Sequence, residues 1–384
     1  MTIQEMLERE DIYTILSKTL EVYFKSVLNK DVIVKVEKSV FKNRYVIYPR
    51  LGVVVSRCPS WSVMNNIYTQ FNVQGSWKRK LLAWGYITLC FLSFGLLADR
   101  SLYVSDKKWC KRDRFIMPCN RKIRIFDYGE KYVDAIIKEG FNDTYFKNEL
   151  KFRVTTQYSF IPPFIQYGNK WYRENLLTGR ALVRLSEPQY TTAIEKTKEE
   201  ISKLYRDTLH FEDAITYCKR LDSYIREKLP LLNEAKGLST EYTEVVLSKV
   251  SVYIKGVNIQ IPLVTSHGDL QTGNIKMEGP DKVTIYDWET AGERSIWYDM
   301  GKLLLYSQRK GRYSYMIEHI NDKEIKDRLL SFDNKEYPML VVASILILEE
   351  LVFFIDEILD LPGSMGSEIM DRLTSELKLT KAFN

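Results

Sequence analysis

Residues 267–289, "HGDLQTGNIKMEGPDKVTIYDWE", set a polar loop between short apolar runs. Asp269 and Asn274 lie five positions apart on a segment leaving the strand candidate "IQIPLV" (259–264). Asp287 closes a second candidate, "KVTIYD" (282–287), reached through Gly279, Pro280 and Asp281. Turns favour Asp, Asn and Gly in any case, so the plain alternative is a set of polar turn residues beside core strands. The two strand candidates are expected to pair as a hairpin. A hairpin brings its ends together, which would put Asp269 and Asn274 beside Asp287 although the two aspartates are far apart in the chain. Such a set suits phosphoryl transfer: one carboxylate orients or deprotonates a hydroxyl, while an amide oxygen and a second carboxylate offer magnesium the oxygen ligands it prefers.

"HGDLQTGNI", then "IYDWETAG", then "YDMGKL" resemble the ordered motifs of the aminoglycoside phosphotransferase and choline kinase-like superfamily. The resemblance is carried by residues 265–305, extends in looser form over 111–180 and does not reach the first 110. It implies an α+β, bilobal protein kinase-like fold, with a small antiparallel-sheet nucleotide lobe, a larger helical lobe and an extra N-terminal mixed domain. By the same resemblance Asp269 is the catalytic base or hydroxyl-orienting residue, Asn274 and Asp287 are magnesium ligands, and Glu289 is a further acidic position near the metal. His267 braces the loop, and Asp299 is architectural. Gln271 and Thr272 depart from the family pattern, which commonly has His and Pro there, and put the loop's substrate side in question.

A kinase-like arrangement asks for a lysine on the phosphates and a glutamate on a neighbouring helix to hold it. Lys138, at the end of "YVDAIIK", and Glu149, in "FKNELKF", stand at the matching places. Main-chain groups around Glu174 to Leu176, in "WYRENLLTG", are the expected adenine contacts at the hinge. The turn "MPCNRK" lacks the glycines of a phosphate-covering loop, leaving Asn120 or Arg121 as the residues to touch phosphate.

The texture of the chain changes near residue 111 and turns helical after residue 190; with the resemblance this implies residues 1–110 as a mixed domain of unassigned role, 111–178 as the nucleotide lobe and 179–384 as the helical catalytic lobe. A helix is expected near 11–28, followed by the strands "VIVKVE", "RYVIYP" and "GVVVS". Hairpins join "KIRIFDY" to "YVDAIIK", and "PFIQY" to "KWYREN" through a Gly168-Asn169 loop. A helix from about Thr240 ends at Gly256. Residues 81–98, "LLAWGYITLCFLSFGLLA", are free of charge and reach the lower length limit for a bilayer-crossing helix. The reading adopted for them is a buried helix; a spanning helix and an interfacial or re-entrant anchor making peripheral membrane contact are the alternatives.

The 384 residues, 45% of them hydrophobic and 28% charged, suffice for a large core and exclude collagen-like or disordered classes. A net charge of +6 is small at this length, and no nucleic-acid partner is expected. Five cysteines without a C-x-x-C pair suit reduced thiols and argue against zinc, and the charged first ten residues are unlike an export signal, so a cytoplasmic place is expected, with or without membrane association. The function expected is an ATP- and magnesium-dependent small-molecule kinase whose acceptor is a hydroxyl of a sugar, aminoglycoside-like, choline-like or glycan-precursor compound. A catalytically silent pseudokinase that binds nucleotide is the alternative.

Overall fold

A computed structural model describes residues 3–38, 43–71, 77–236, 240–279, 281–307, 319–332 and 335–360. The chain divides into two compact units, Met1–Lys147 with Pro162–Thr178, and Asn148–Ile161 with Gly179–Asn384. The α+β composition expected from the sequence is present: an antiparallel sheet with covering helices in the first unit, and mainly helices in the second.

In the first unit α1 (Ile3–Leu7) and α2 (Ile12–Leu28) precede β1 (Val34–Glu37), β2 (Tyr45–Tyr48) and β3 (Val53–Ser56). Then come α3 (Trp61–Phe71), α4 (Trp77–Leu92), β4 (Arg100–Val104), β5 (Arg114–Pro118), β6 (Lys122–Asp127), β7 (Tyr132–Ile137) and α5 (Thr144–Thr155). The last strands are β8 (Phe164–Tyr167) and β9 (Trp171–Asn175). The described strands form one nine-stranded sheet in the order β1-β4-β2-β3-β5-β6-β7-β9-β8, every pair antiparallel. It runs straight across the break expected at residue 110. The mixed addition of residues 1–110 therefore shares its sheet with 111–178 instead of forming a separate body, the joint being β3 against β5.

Successive strand residues face opposite sides, and both sides of this sheet are covered. Tyr45 and Ile47 pack with Leu16, Leu20 and Phe24 of α2, whereas Val46 and Tyr48 pack with Val63 and Ile67 of α3 and Ile87 and Phe91 of α4. Double coverage explains why "YVIY" and "VVVS" read as unbroken apolar runs. Fully burying each such side chain is worth about 1.5–3 kcal/mol. The second hairpin closes one residue later than expected: Tyr167 pairs with Tyr172 and the Gly168 N–H donates to the Trp171 carbonyl, leaving Asn169 and Lys170 as the loop.

Helix α4 differs from its expected role as a buried helix. It buries Ile87, Cys90 and Phe91, but Leu81, Leu82, Trp84, Leu89 and Leu92 are exposed. Among the described residues, no helix is long and apolar enough to cross a membrane.

The second unit contains β10 (Arg180–Ala181), α6 (Glu187–Thr208), β11 (His210–Asp213), α7 (Ala214–Lys236), α8 (Glu241–Ile254), β12 (Gln260–Ser266), β13 (Ile275–Gly279), β14 (Lys282–Ile285), β15 (Gly292–Ser295), α9 (Tyr298–Ser307), α10 (Lys323–Leu329) and α11 (Met339–Asp360). Here the expected hairpin changes partner. The 259–264 segment lies in β12, which pairs with β11 and β15; β14 pairs instead with β13, the short run directly after the polar loop. "IKMEG" is too short and too polar to announce itself as a strand, yet it lies at the chain distance a tight hairpin requires. Helices α6, α7, α8 and α11 enclose the core beneath these two small sheets, with Ile201, Leu204, Ile225, Val250, Leu263, Ile285 and Ile355 among its residues.

Candidate active site

All residues that meet here belong to the second unit, including Glu149, which lies on the part of α5 that the division assigns there. The β13–β14 register sets Ile275 opposite Ile285, so the next residue on each strand is also a neighbour: the Tyr286 N–H donates to the Asn274 carbonyl at 3.0 Å. Asp287 follows at once. Its backbone has φ 72°, an unusual left-handed conformation for a residue with a Cβ.

The loop from 267 to 274 is held from three sides. Asp299, buried in the first turn of α9, accepts four hydrogen bonds: from Tyr205 Oη (2.8 Å), Ser266 Oγ (2.9 Å) and the N–H groups of His267 (2.8 Å) and Gly268 (3.0 Å). Gly268 has φ +84°, and a Cβ there would collide with the Thr290 carbonyl oxygen, so glycine is required both by conformation and by space. Thr290 Oγ1 donates to the His267 carbonyl at 3.1 Å, and Arg294 Nη1 to the Thr290 carbonyl at 3.0 Å.

His267 is fully buried beside the Trp288 ring. Its Nδ1 accepts the Asp269 N–H at 3.2 Å, which makes Nε2 the protonated nitrogen facing the Tyr286 carbonyl at 3.1 Å. Burial lowers its pKa and favours the neutral ring. Both nitrogens are occupied by the backbone, an arrangement for bracing the loop.

Asp269 remains partly open to solvent. Gln271 Nε2 donates to its Oδ2 at 2.8 Å; Asn274 Nδ2 donates to its carbonyl at 3.0 Å and to Oδ2 at 3.3 Å. Desolvation pushes its pKa up to about 7, against the pull of Lys302 and the Gln271 bond and with a further push from Asp287 and Glu357. Because the Asn274 nitrogen is engaged by Asp269, its amide oxygen is the atom left for a cation. Lys302 is buried in an ion pair with Glu350 at 2.6 Å.

Glu149, Asp287 and Glu289 bring one carboxylate oxygen each within 4.8 Å of one another. Helix α5 explains how Glu149 arrives there. Asn148 Nδ2 donates to the carbonyls of Glu289 and Ala291, both at 2.9 Å, and Phe152 stacks on Trp288 at 4.7 Å, fixing α5 against the turn that carries Glu289. Glu149 is buried and also receives Arg153 Nη1 at 3.1 Å. Three converging carboxylates are a hard, all-oxygen donor set and fit magnesium better than a softer metal.

Among the nucleotide-side residues of the first unit, Lys138 has a partner other than the expected one. Lys138 is buried, and its ammonium pairs with Glu10 at 2.6 Å where the sequence points to Glu149. Burial lowers the lysine's pKa and Glu10 opposes that shift. Glu174 lies in β9 opposite Val133 and is buried. The Leu176 N–H already donates to the Lys131 carbonyl at 2.9 Å, so it is engaged within the sheet.

Sequence reasoning did not single out Gln271 as a partner of Asp269, Lys302 as a charge acting on it, or Tyr205, Thr290 and Arg294 as braces. Lys302 had a visible cue, since it stands one helical turn after Asp299 in "YDMGKL". Gln271 was visible only as a departure from the family pattern.

No family model and no curated protein matches the sequence. Among solved structures the chain is similar to a thermostable mutant of aminoglycoside phosphotransferase APH(4)-Ia, with 12% identity, TM-score 0.46 and coverage of 72% of this chain and 96% of that one. It is also similar to an ethanolamine kinase from Plasmodium vivax (14% identity, TM-score 0.44, 85% and 96% covered) and a choline kinase from Cryptosporidium parvum Iowa II (11%, 0.42, 68% and 86%). Likenesses at this level concern the course of the chain and carry no statement about its chemistry, which rests on the residues of the loop and its hairpin.

Proposed function

We propose that the protein is a magnesium-dependent phosphotransferase that moves the γ-phosphoryl group of ATP to a hydroxyl of a small molecule. One observation carries the reading: Asp269, Asn274 and the carboxylates of Asp287, Glu289 and Glu149 belong to one loop, the hairpin that follows it and the helix docked beside them.

The chain's residues have separable tasks. Asp269, half-open and held by Gln271 and Asn274, would accept the hydrogen bond of the acceptor hydroxyl and take its proton as the new oxygen–phosphorus bond forms and the bond to the departing ADP oxygen breaks. A carboxylate poised at about 7 suits that transfer near neutral pH. Asn274, Asp287 and Glu289, with Glu149, are the residues to hold magnesium, which when bound would offset the charge of the phosphate oxygens. His267 and Asp299 keep the loop in shape and do not touch the reacting atoms. Lys138, Glu174 and Leu176 remain the proposed nucleotide contacts of the first unit, Lys138 only on release from Glu10.

The assay is ATP turnover with magnesium against sugars, aminoglycosides and amino alcohols, in wild type, Asp269→Ala and Asp287→Asn. Either substitution is expected to lower kcat by about a thousandfold or more. If the wild type binds ATP but transfers nothing, the second reading stands: a nucleotide-binding regulator, favoured by the engagement of Lys138 with Glu10. If it does not bind ATP at all, both readings fall.

A further inference from the structure

Helix α4 has two apolar faces. Ile87, Cys90 and Phe91 turn inward to the sheet, while Leu81, Leu82, Leu89 and Leu92, spaced as neighbours on one side of a helix, turn outward. Leu82 is 73%, Leu89 60% and Leu92 65% exposed. A helix that is apolar all round is ordinarily buried, and a continuous exposed apolar face marks a contact surface.

Charge says which contact. Residues 38–98 contain no Asp or Glu, in a chain with 50 of them, but eight basic residues: Lys38, Lys42, Arg44, Arg50, Arg57, Lys78, Arg79 and Lys80. Lys78 and Lys80 are exposed in the first turn of α4, beside an exposed Trp77. Exposed tryptophan, leucines and lysines in a stretch of chain without acids match a headgroup layer that bears negative charge. A second copy of the chain would set like charges against each other. The helix has 16 residues, about 24 Å at helical rise against a hydrocarbon core of about 30 Å, so it suits lying in the interface and not crossing it.

We infer that the outward face of α4 docks the protein on an anionic bilayer surface. The inference does not depend on the phosphotransferase reading. The full chain is sedimented with vesicles of phosphatidylcholine alone and of phosphatidylcholine mixed with phosphatidylglycerol, at low and at raised salt. Association with the mixed vesicles, weakened by salt, is expected. Leu82→Glu/Leu89→Glu and, separately, Lys78→Glu/Lys80→Glu should each weaken it by about tenfold or more. All four side chains are exposed, so the thermal midpoint in the absence of vesicles should match wild type. Failure to associate with either vesicle, or association that both variants leave intact, overturns the inference. So does a concentration-dependent dimer in light scattering that Leu82→Glu/Leu89→Glu abolishes, which would assign the face to a second copy.

Discussion

Helix α11, "MLVVASILILEELVFFIDEILD", and the segment 81–98 on and beyond α4 are both long apolar stretches, but they meet different surroundings. Helix α11 contains acids yet is enclosed by α7, α8, α9 and β15; residues 81–98 contain no charge at all, and half of α4 faces outward. The acids of α11 are tolerated because the neighbouring elements supply partners. Glu349 accepts from Tyr217 Oη at 2.6 Å and from the Ser295 N–H and Oγ at 2.5 and 2.8 Å, and Glu350 pairs with Lys302. Apolar content therefore does not decide burial. What decides it is whether packed elements exist on every side of the helix, and a buried acid with bonded partners is the stronger sign that they do.

Truncation is the most forceful way to break this contrast. Ile347→Ala in α11 should cost about 2–5 kcal/mol in urea unfolding, the usual cost of a core cavity. A cost near zero would mean that α11 is not the enclosed helix described here.

A smaller effect comes from pH. Burial pushes the Glu349 carboxyl up to about 7, outweighing its hydrogen bonds and Arg294. Its folded pKa thus lies above the unfolded value, and the native state binds more protons between the two. Its contribution is fully present below about 4.5 and is lost as pH rises to about 7. Glu349→Gln should remove that decline, on the order of 1–3 kcal/mol across the window. Parallel pH–stability curves for the two proteins would contradict the assignment.

The smallest effect is expected on α4. Leu82→Ser and Leu89→Ser should each change stability by less than about 0.5 kcal/mol, since exposed positions contribute little to folding. A loss as large as that of Ile347→Ala would show the face covered in the free protein and erase the difference between the two helices.

The parts legible in the sequence are those whose physics is local. Helix α2 follows its expected limits closely, because its apolar residues recur at helical spacing and Asp11 accepts the Thr14 N–H. The loop from His267 to Asn274 was legible through the order of its three motifs, since its polar residues taken alone also suit an ordinary turn. Distant pairings were not legible. The joint between β3 and β5 depends on partners about sixty positions apart, and nothing in "GVVVS" names them. Nor does the "NEL" of α5 say that Glu149 lies by Asp287 and Glu289, since Asn148 and Phe152 fix that docking across more than 130 residues. The outward face of α4 was hidden by the sequence's own apolarity, which is the same for a helix covered on one side or on two.

The bond between Glu10 and Lys138 spans 128 residues and has a consequence for synthesis on the ribosome. Glu10 emerges early and stays in water until Lys138 follows, and β9, which pairs with both β7 and β8, is not complete before Asn175. At about 5–20 residues per second, that is a delay of many seconds. During it the apolar strands β2 and β3 and the uncovered side of α4 are present without the rest of their sheet. The nascent chain therefore passes through a long interval in which a chaperone, or a nearby lipid surface, has something apolar to hold.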